Sequence, residues 1–290
     1  MKQIILDEIK KYGGKISFAK YMELCLYHET FGYYTKEQEK IGKSGDYVTS
    51  SVLSSIFAEM IAEYYVYLVI EHHIQPAFCE IGAGNGAFFK EFKEWLKKIS
   101  EEIYEKSMFI AIEKSPHHQL QFKKATQYSV QVKRELPNKF SGMIFSNEWL
   151  DALPVHVVTR KEGQLFEVFI TSQEEQLKEV LIPLENQRIE KIIENYQTPI
   201  LEGHRIELSL KMLDELYRVN LAVDHGILMT IDYGYEHRDL YDSSLKDGSL
   251  RGYKNHQMIT NLLDEPFSHD ITSHILIDLY KKKARTFRVE

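Results

Sequence analysis

The stretch PAFCEIGAGNGAFFKEFKEWLKK, Pro76 to Lys98, constrains the fold more than any other part of the chain. AFCEI is a short apolar run, glycines 82, 84 and 86 permit a tight turn, and the residues beyond repeat apolar side chains at helical spacing. A strand, a glycine turn and a helix in that order open a crossover unit, and crossover units build parallel sheets. The rhythm continues: MFIAIE, Met108 to Glu113, predicts a second buried strand, and SPHHQLQFKKA a helix capped by Ser115 with Pro116 at its first position. YSVQV predicts a weak third strand, and SGMIFS, Ser141 to Ser146, a fourth that ends in NEWLDALP. The expectation is an α/β fold around a parallel sheet.

On either side the pattern differs. Ile5, Ile9 and Tyr12 repeat at helical spacing before a Gly13-Gly14 stop, and Ser17 reads as the cap of a second helix carrying Phe18, Tyr21, Met22 and Cys25. HETFGYYT and IGKSGDYVTSS read as loop, and helical spacing returns from Val52 to Ile70. Residues 1–75 are therefore expected to be helical and loop-rich, and 76–154 to form the first part of the sheet domain. VHVVTRKEGQLFEVFI predicts an antiparallel hairpin turning at Gly163, followed by a mixed charged segment and a helix near Leu208 to Tyr217. Residues 155–220 thus read as an insertion after the fourth strand. GILMTIDYG, Gly226 to Gly234, resumes the buried-strand signal, which makes 221–290 the last part of a single sheet domain.

The chain has 36 Lys and Arg against 43 Asp and Glu, a net charge of −7, which argues against a general nucleic-acid binder. Cys25 and Cys79 build no disulfide framework and point to a reducing compartment. The opening residues hold no signal core, and Asp7 and Glu8 do not suit a transit peptide. The apolar run from Ala58 to Ile70 is broken by Glu59 and Glu63, so no membrane span is expected. A cytoplasmic protein is the expectation. His72-His73 and His117-His118 lack the spacing of a metal-binding helix, and no metal site is expected.

The chemistry centres on EIGAGNG. Its glycine spacing is GxGxG rather than the GxGxxG of dinucleotide sites, and Glu80 stands two residues before the first glycine. A carboxylate there repels a pyrophosphate and suits a ligand with a cationic, amino-acid-like part, such as S-adenosylmethionine; a plain glycine turn or a nucleotide site is the alternative. Glu113, at the end of the next strand, stands where doubly wound folds place an acidic residue for ribose hydroxyls, or is a solvated residue before the Ser115 cap. Asn147, Glu148 and Asp151 follow the fourth strand, at the sheet edge that faces the ligand crevice in such folds. Asp151 could equally serve only as a helix cap.

Several blocks together resemble the MidA family of class I S-adenosylmethionine-dependent methyltransferases, which includes a mitochondrial arginine methyltransferase that acts in complex I assembly. They are YMELCLYHETFGYYT, GDYVTSSVLSSIFAEMIAE, EIGAGNGAFFKEF, SNEWLDALPVH, GHRIELS, IDYGY, GSLRGYKNH and HDITSH, in family order from Tyr21 to His274. The resemblance implies a Rossmann-like class I methyltransferase sheet with a helical N-terminal portion and an insertion. It implies S-adenosylmethionine as cofactor, bound by Glu80, Gly82, Gly84, Gly86 and Glu113. Asp46 and Thr49 match a family loop, with Tyr47 and Val48 as local variants, that is expected to fold over the cofactor.

The implied reaction methylates an arginine of a protein acceptor, with a respiratory complex subunit among the candidates. Asn147, Glu148 and Asp151 match the family's block beside the donor; Glu148 and Asp151 are expected to grip the guanidinium, with Glu207 or Asp46 in reserve. A small-molecule methyltransferase and a non-catalytic donor-binding assembly factor stay open, with an NAD-dependent oxidoreductase further off. After HDITSH the family runs on, whereas this sequence closes on ILIDLYKKKARTFRVE, so a shortened last part of the sheet is expected.

Overall fold

The computed structural model describes residues 1–36, 55–254, 257–259 and 261–284. In chain order the elements begin with α1 (Lys2–Lys11), β1 (Lys15–Ser17), α2 (Phe18–Tyr27) and α3 (Ser55–Glu71). The glycine motif joins β2 (Ala77–Ile81) to α4 (Ala87–Ile99), and α5 (Glu101–Lys106), β3 (Met108–Ile112), α6 (Pro116–Ala125), β4 (Gln131–Lys133) and β5 (Phe140–Asn147) follow. Next come β6 (His156–Lys161), β7 (Gln164–Gln173), β8 (Gln176–Pro183), α7 (Gln187–Tyr196), β9 (Arg205–Leu208), α8 (Leu210–Ala222) and β10 (Val223–Ile231). The last elements are β11 (Gly234–Tyr235), β12 (Arg251–Lys254), β13 (Gln257–Ile259), β14 (Asp270–Thr272), β15 (Ile275–Leu276) and α9 (Ile277–Ala284).

Packing divides the chain into two compact units. The first comprises Met1–Lys36, Leu150–Tyr217 and Asp232–Glu290, and the second Glu37–Trp149 and Arg218–Ile231. The second unit carries a five-stranded sheet in the order β10-β5-β2-β3-β4, every neighbouring pair parallel. All five residues of β2 are buried, as a central parallel strand covered on both faces requires. On one face α3 and α4 pack a core of aromatic rings, Tyr65, Phe78, Phe89 and Phe92, with Phe145 of β5 beneath. Phe78 and Phe92 stack at 4.0 Å between centroids, and Phe89 meets Phe78 edge-on at 5.6 Å. Each such ring, wholly removed from water, contributes about 1.5–3 kcal/mol, so this layer fixes where β2 ends and α4 begins.

The first unit has an antiparallel five-stranded sheet. β7 pairs with β6 and β1 along one edge and with β8 along the other, and β9 extends β6. The β6–β7 hairpin turns at Glu162-Gly163, both at positive φ, as a two-residue hairpin prefers. β1 corrects the expectation that the opening segment holds no sheet: Lys15, Ile16 and Ser17 pair with Thr171, Ile170 and Phe169. Three residues are too few to show an alternating pattern, and Ser17 also caps α2 by accepting from the Lys20 N–H at 3.2 Å. β12 pairs antiparallel with β13 and β14, and β11 pairs in parallel with β15.

Candidate active site

The glycine turn hangs from the end of β3. Gly82 N–H and Ala83 N–H both donate to Ile112 O, at 2.9 and 3.3 Å. Gly84 N–H donates to Glu113 Oε2 at 2.9 Å, while Ser115 N–H donates to Glu113 Oε1 at 2.7 Å. Glycines 82, 84 and 86 all lie at positive φ, +73°, +54° and +82°, so each of the three positions is left-handed and glycine enters it without strain. At Gly86, the first residue before α4, a side chain would also strike Phe122 of α6, whose Cδ2 lies 2.9 Å from the Cβ position. Glu113 therefore ties the turn to the start of α6, with lone pairs left over, since an ionised carboxyl offers about four acceptor positions.

Glu80 is 4% exposed, and its Oε2 has no hydrogen-bond partner among the described residues. Burial, and then the nearby Glu113 carboxylate, push its carboxyl well above the ordinary range. Burial pushes Glu113 upward too, against the pull of its backbone donors. Two buried carboxyls beside a cluster of left-handed glycines make a cradle that a cation would relieve.

At the carboxyl edge of the sheet, Asn147 pairs in register with Ile231 of β10. Its Oδ1 is buried with no partner among the described residues. Glu148 follows at φ +49°, a conformation uncommon for a non-glycine residue, held by its N–H donating to Ile231 O at 2.8 Å. Trp149 then lies 3.5 Å from where a Cβ on Gly82 would stand. The second unit thus brings together Glu80, Gly82, Gly84, Gly86, Glu113, Asn147 and Glu148.

Asp151 falls in the first unit. It is buried, its N–H donates to Asp232 Oδ2 at 3.3 Å, and its carbonyl accepts from Ser273 N–H at 2.9 Å. Asp232 also takes the N–H of Leu150 at 2.7 Å and of Tyr233 at 2.9 Å, and so holds the backbone on which Asp151 sits. Sequence reasoning missed Asp232, whose partners lie some eighty positions away. Asp46 and Thr49, with Tyr47 and Val48, lie outside the described residues. Among the described residues no helix is long and apolar enough to cross a membrane.

The model of a family described as S-adenosyl-L-methionine-dependent methyltransferases matches residues 60–285. The chain belongs to this family; it is a methyltransferase and its cofactor is S-adenosylmethionine. It is similar to the protein arginine methyltransferase NDUFAF7 homolog, mitochondrial, of Caenorhabditis elegans, at 25% identity over 95% of this chain and 69% of that protein. Similarity to the mouse protein arginine methyltransferase NDUFAF7, mitochondrial, is also 25%, over 95% of this chain and 67% of the relative. Among solved structures, a Burkholderia thailandensis protein with S-adenosyl-homocysteine bound superposes with a TM-score of 0.89 at 22% identity, covering 98% of this chain and 75% of that one. That likeness agrees with the expected α/β methyltransferase fold. The cytoplasmic placement expected from the sequence is corrected by the relatives, which are named mitochondrial. Two free buried cysteines speak only for a reducing interior, which does not single out the cytoplasm.

The residues present fit the cofactor: an unpartnered buried carboxylate oxygen for a cationic group, a second carboxylate for ribose hydroxyls, and glycines that admit close approach. Glu80→Gln is expected to weaken S-adenosylmethionine binding about tenfold to a hundredfold, the ~1.5–3 kcal/mol of one hydrogen bond to a charged group. Because the folded carboxyl titrates above its unfolded value, its favourable contribution is full below the unfolded pKa and disappears as pH rises through the folded one. Without donor, the Glu80→Gln protein should therefore equal the wild type at about pH 4 and exceed it in thermal stability at neutral pH. Equal melting temperatures at both pH values, with unchanged donor affinity, would remove Glu80 from the cradle.

Proposed function

We propose that the chain transfers the methyl group of S-adenosylmethionine to an arginine of a protein acceptor. The relatives named protein arginine methyltransferases support the choice of acceptor. The observation that carries the reading is Glu148, set in a left-handed conformation beside the unpartnered Asn147 Oδ1, in the unit that also holds the glycine cradle.

S-adenosylmethionine, when bound, supplies an electrophilic methyl on a sulfonium. The chain's part is to present the nucleophile in line with it and to hold it there. A guanidinium keeps its proton at neutral pH, its pKa being above ~12, so a carboxylate does not strip it beforehand. The proposed task of Glu148 is to accept guanidinium N–H groups, orient one nitrogen, and take up the proton released as the N–C bond forms and the S–C bond breaks. Asp151 is proposed for the same task on sequence grounds, three residues further along the chain. A respiratory complex subunit is the first acceptor to try.

The test is transfer of labelled methyl from S-adenosylmethionine onto isolated respiratory complex subunits, followed by amino-acid analysis. Label recovered as methylarginine is the expected result. Label on another residue type, or on a small molecule alone, overturns the proposal.

A further inference from the structure

A helix on the surface of a globular unit ordinarily shows charge to water along the side it does not bury. α4 obeys this: it buries Phe88, Phe89, Phe92 and Leu96 and exposes Lys90, Glu94, Lys97 and Lys98. α3 lies beside it on the same face of the parallel sheet and does not. One side of α3, around Ala62 and Tyr65, is buried, yet Ile56, Met60, Tyr64, Tyr67 and Ile70 are between 41% and 66% exposed. Steps of three or four residues put all five on one side of the helix. They form an apolar stripe about 21 Å long, at 1.5 Å per residue. The whole stripe lies within the second unit.

Two of its rings are already set in place. Tyr64 and Tyr67 stack with centroids 6.1 Å apart, and Tyr67 Oη lies 3.2 Å from His72 Nε2, within hydrogen-bonding distance. Aromatic side chains that are ordered beforehand lose little freedom on association, which suits them as interface anchors. A contiguous apolar strip beside a charged surface marks an interaction face.

Charge selects the occupant. α3 carries Glu59, Glu63 and Glu71 and no lysine or arginine. Helices that lie on lipid bear lysine and arginine on their polar side and are drawn to anionic headgroups; α3 has the opposite sign. Symmetry disfavours a second copy. Glu63 is exposed at the midpoint of the stripe, so a two-fold pairing that matches the stripe end to end sets two Glu63 carboxylates against each other. A straight stripe of four turns is matched over its length by another helix crossing at a shallow angle.

We infer that the α3 stripe docks an amphipathic helix of another polypeptide. The apolar side of that helix covers Met60, Tyr64 and Tyr67, and lysines or arginines flanking it meet Glu59 and Glu63.

The experiment titrates the whole chain into fluorescein-labelled helical peptides of about 18 residues, five turns, and reads anisotropy. Two peptides share one leucine stripe and carry either lysine or glutamate beside it. The lysine peptide should bind saturably and at least about tenfold more tightly than the glutamate peptide. Met60→Asp should weaken that binding at least about tenfold, and Glu63→Lys should reverse the preference between the peptides. Both positions are exposed, and both variants should bind S-adenosylmethionine as the wild type does. Tyr67→Ser replaces Met60→Asp if the latter does not fold. Absent saturation, equal binding of the two peptides, or binding untouched by the stripe variant overturns the inference. So does a dimer in sedimentation velocity, or co-sedimentation with phosphatidylglycerol vesicles, that the stripe variant abolishes, since either gives the face a different occupant.

Discussion

Glu148→Gln protein is expected to bind S-adenosylmethionine as the wild type does and to transfer methyl about 10²–10⁴-fold more slowly, the range that one positioned acid–base group supplies. The argument is geometric. Glu148 is reached through β5, whose last residue Asn147 is fixed by pairing with Ile231, and its own N–H is anchored to the Ile231 carbonyl. Glutamine keeps the shape and the left-handed backbone of the site but offers one acceptor oxygen and no charge, so a guanidinium loses its fork partner and the released proton its destination. Asp151→Asn is the parallel experiment in the other unit. Single-turnover rates beside donor affinities separate the outcomes: an unchanged rate in either variant removes that residue from the reaction, and lost donor affinity in Glu148→Gln would assign it to the cofactor instead.

The second large effect is on stability. Gly86→Ala places a Cβ 2.9 Å from Phe122 Cδ2 and 3.0 Å from Phe122 Cα, and the latter is helix backbone that cannot swing aside. Overpacking of this kind costs about 1–3 kcal/mol, and the left-handed backbone at φ +82° adds about 1–2 kcal/mol for any residue with a side chain. A loss of about 2–5 kcal/mol corresponds to a fall of about 5–15 °C in melting temperature for a domain of this size. Gly82→Ala is the control, because a Cβ there meets Trp149 at an ordinary 3.5 Å and only the backbone term applies. Differential scanning calorimetry of both proteins should therefore rank Gly86→Ala well below Gly82→Ala. The reverse order would mean that α6 does not lean on the glycine turn.

The elements that were legible in the sequence are those whose local signals agree with their burial. β2, β3 and β5 are apolar runs because a parallel strand is covered on both faces, and Ser17 and Ser115 announce the helices they cap. β8 was not legible. Its turn from β7 is made by Glu174 and Glu175, which adopt left-handed angles of +50° and +62° without the glycine or asparagine that marks such a turn, and its side chains do not alternate cleanly between faces. β1 is three residues long and owes its existence to a partner some 150 positions away. Glu80 and Glu113 stood out as carboxylates at fixed offsets from a glycine motif. Asp232 did not, because it accepts amides from Leu150 and Asp151 and no spacing rule links those positions; Glu207 stood in reserve, but its donors Tyr235 and Ser249 could not be read from spacing.

The division of the chain also sets an order of birth. The second unit closes with β10, so every strand of the parallel sheet has been synthesised once Ile231 is joined, while the first unit still lacks everything from Asp232 onward. At about 5–20 residues per second, Ser249, which donates two hydrogen bonds to Glu207, is added about one to four seconds after Ile231. During that interval a nascent chain owns a complete glycine cradle and an incomplete Glu207 cluster. A ligand that binds a folded unit and not its unfolded chain stabilises that unit by mass action, so cofactor would favour the parallel-sheet unit from the moment β10 is free to pair with β5.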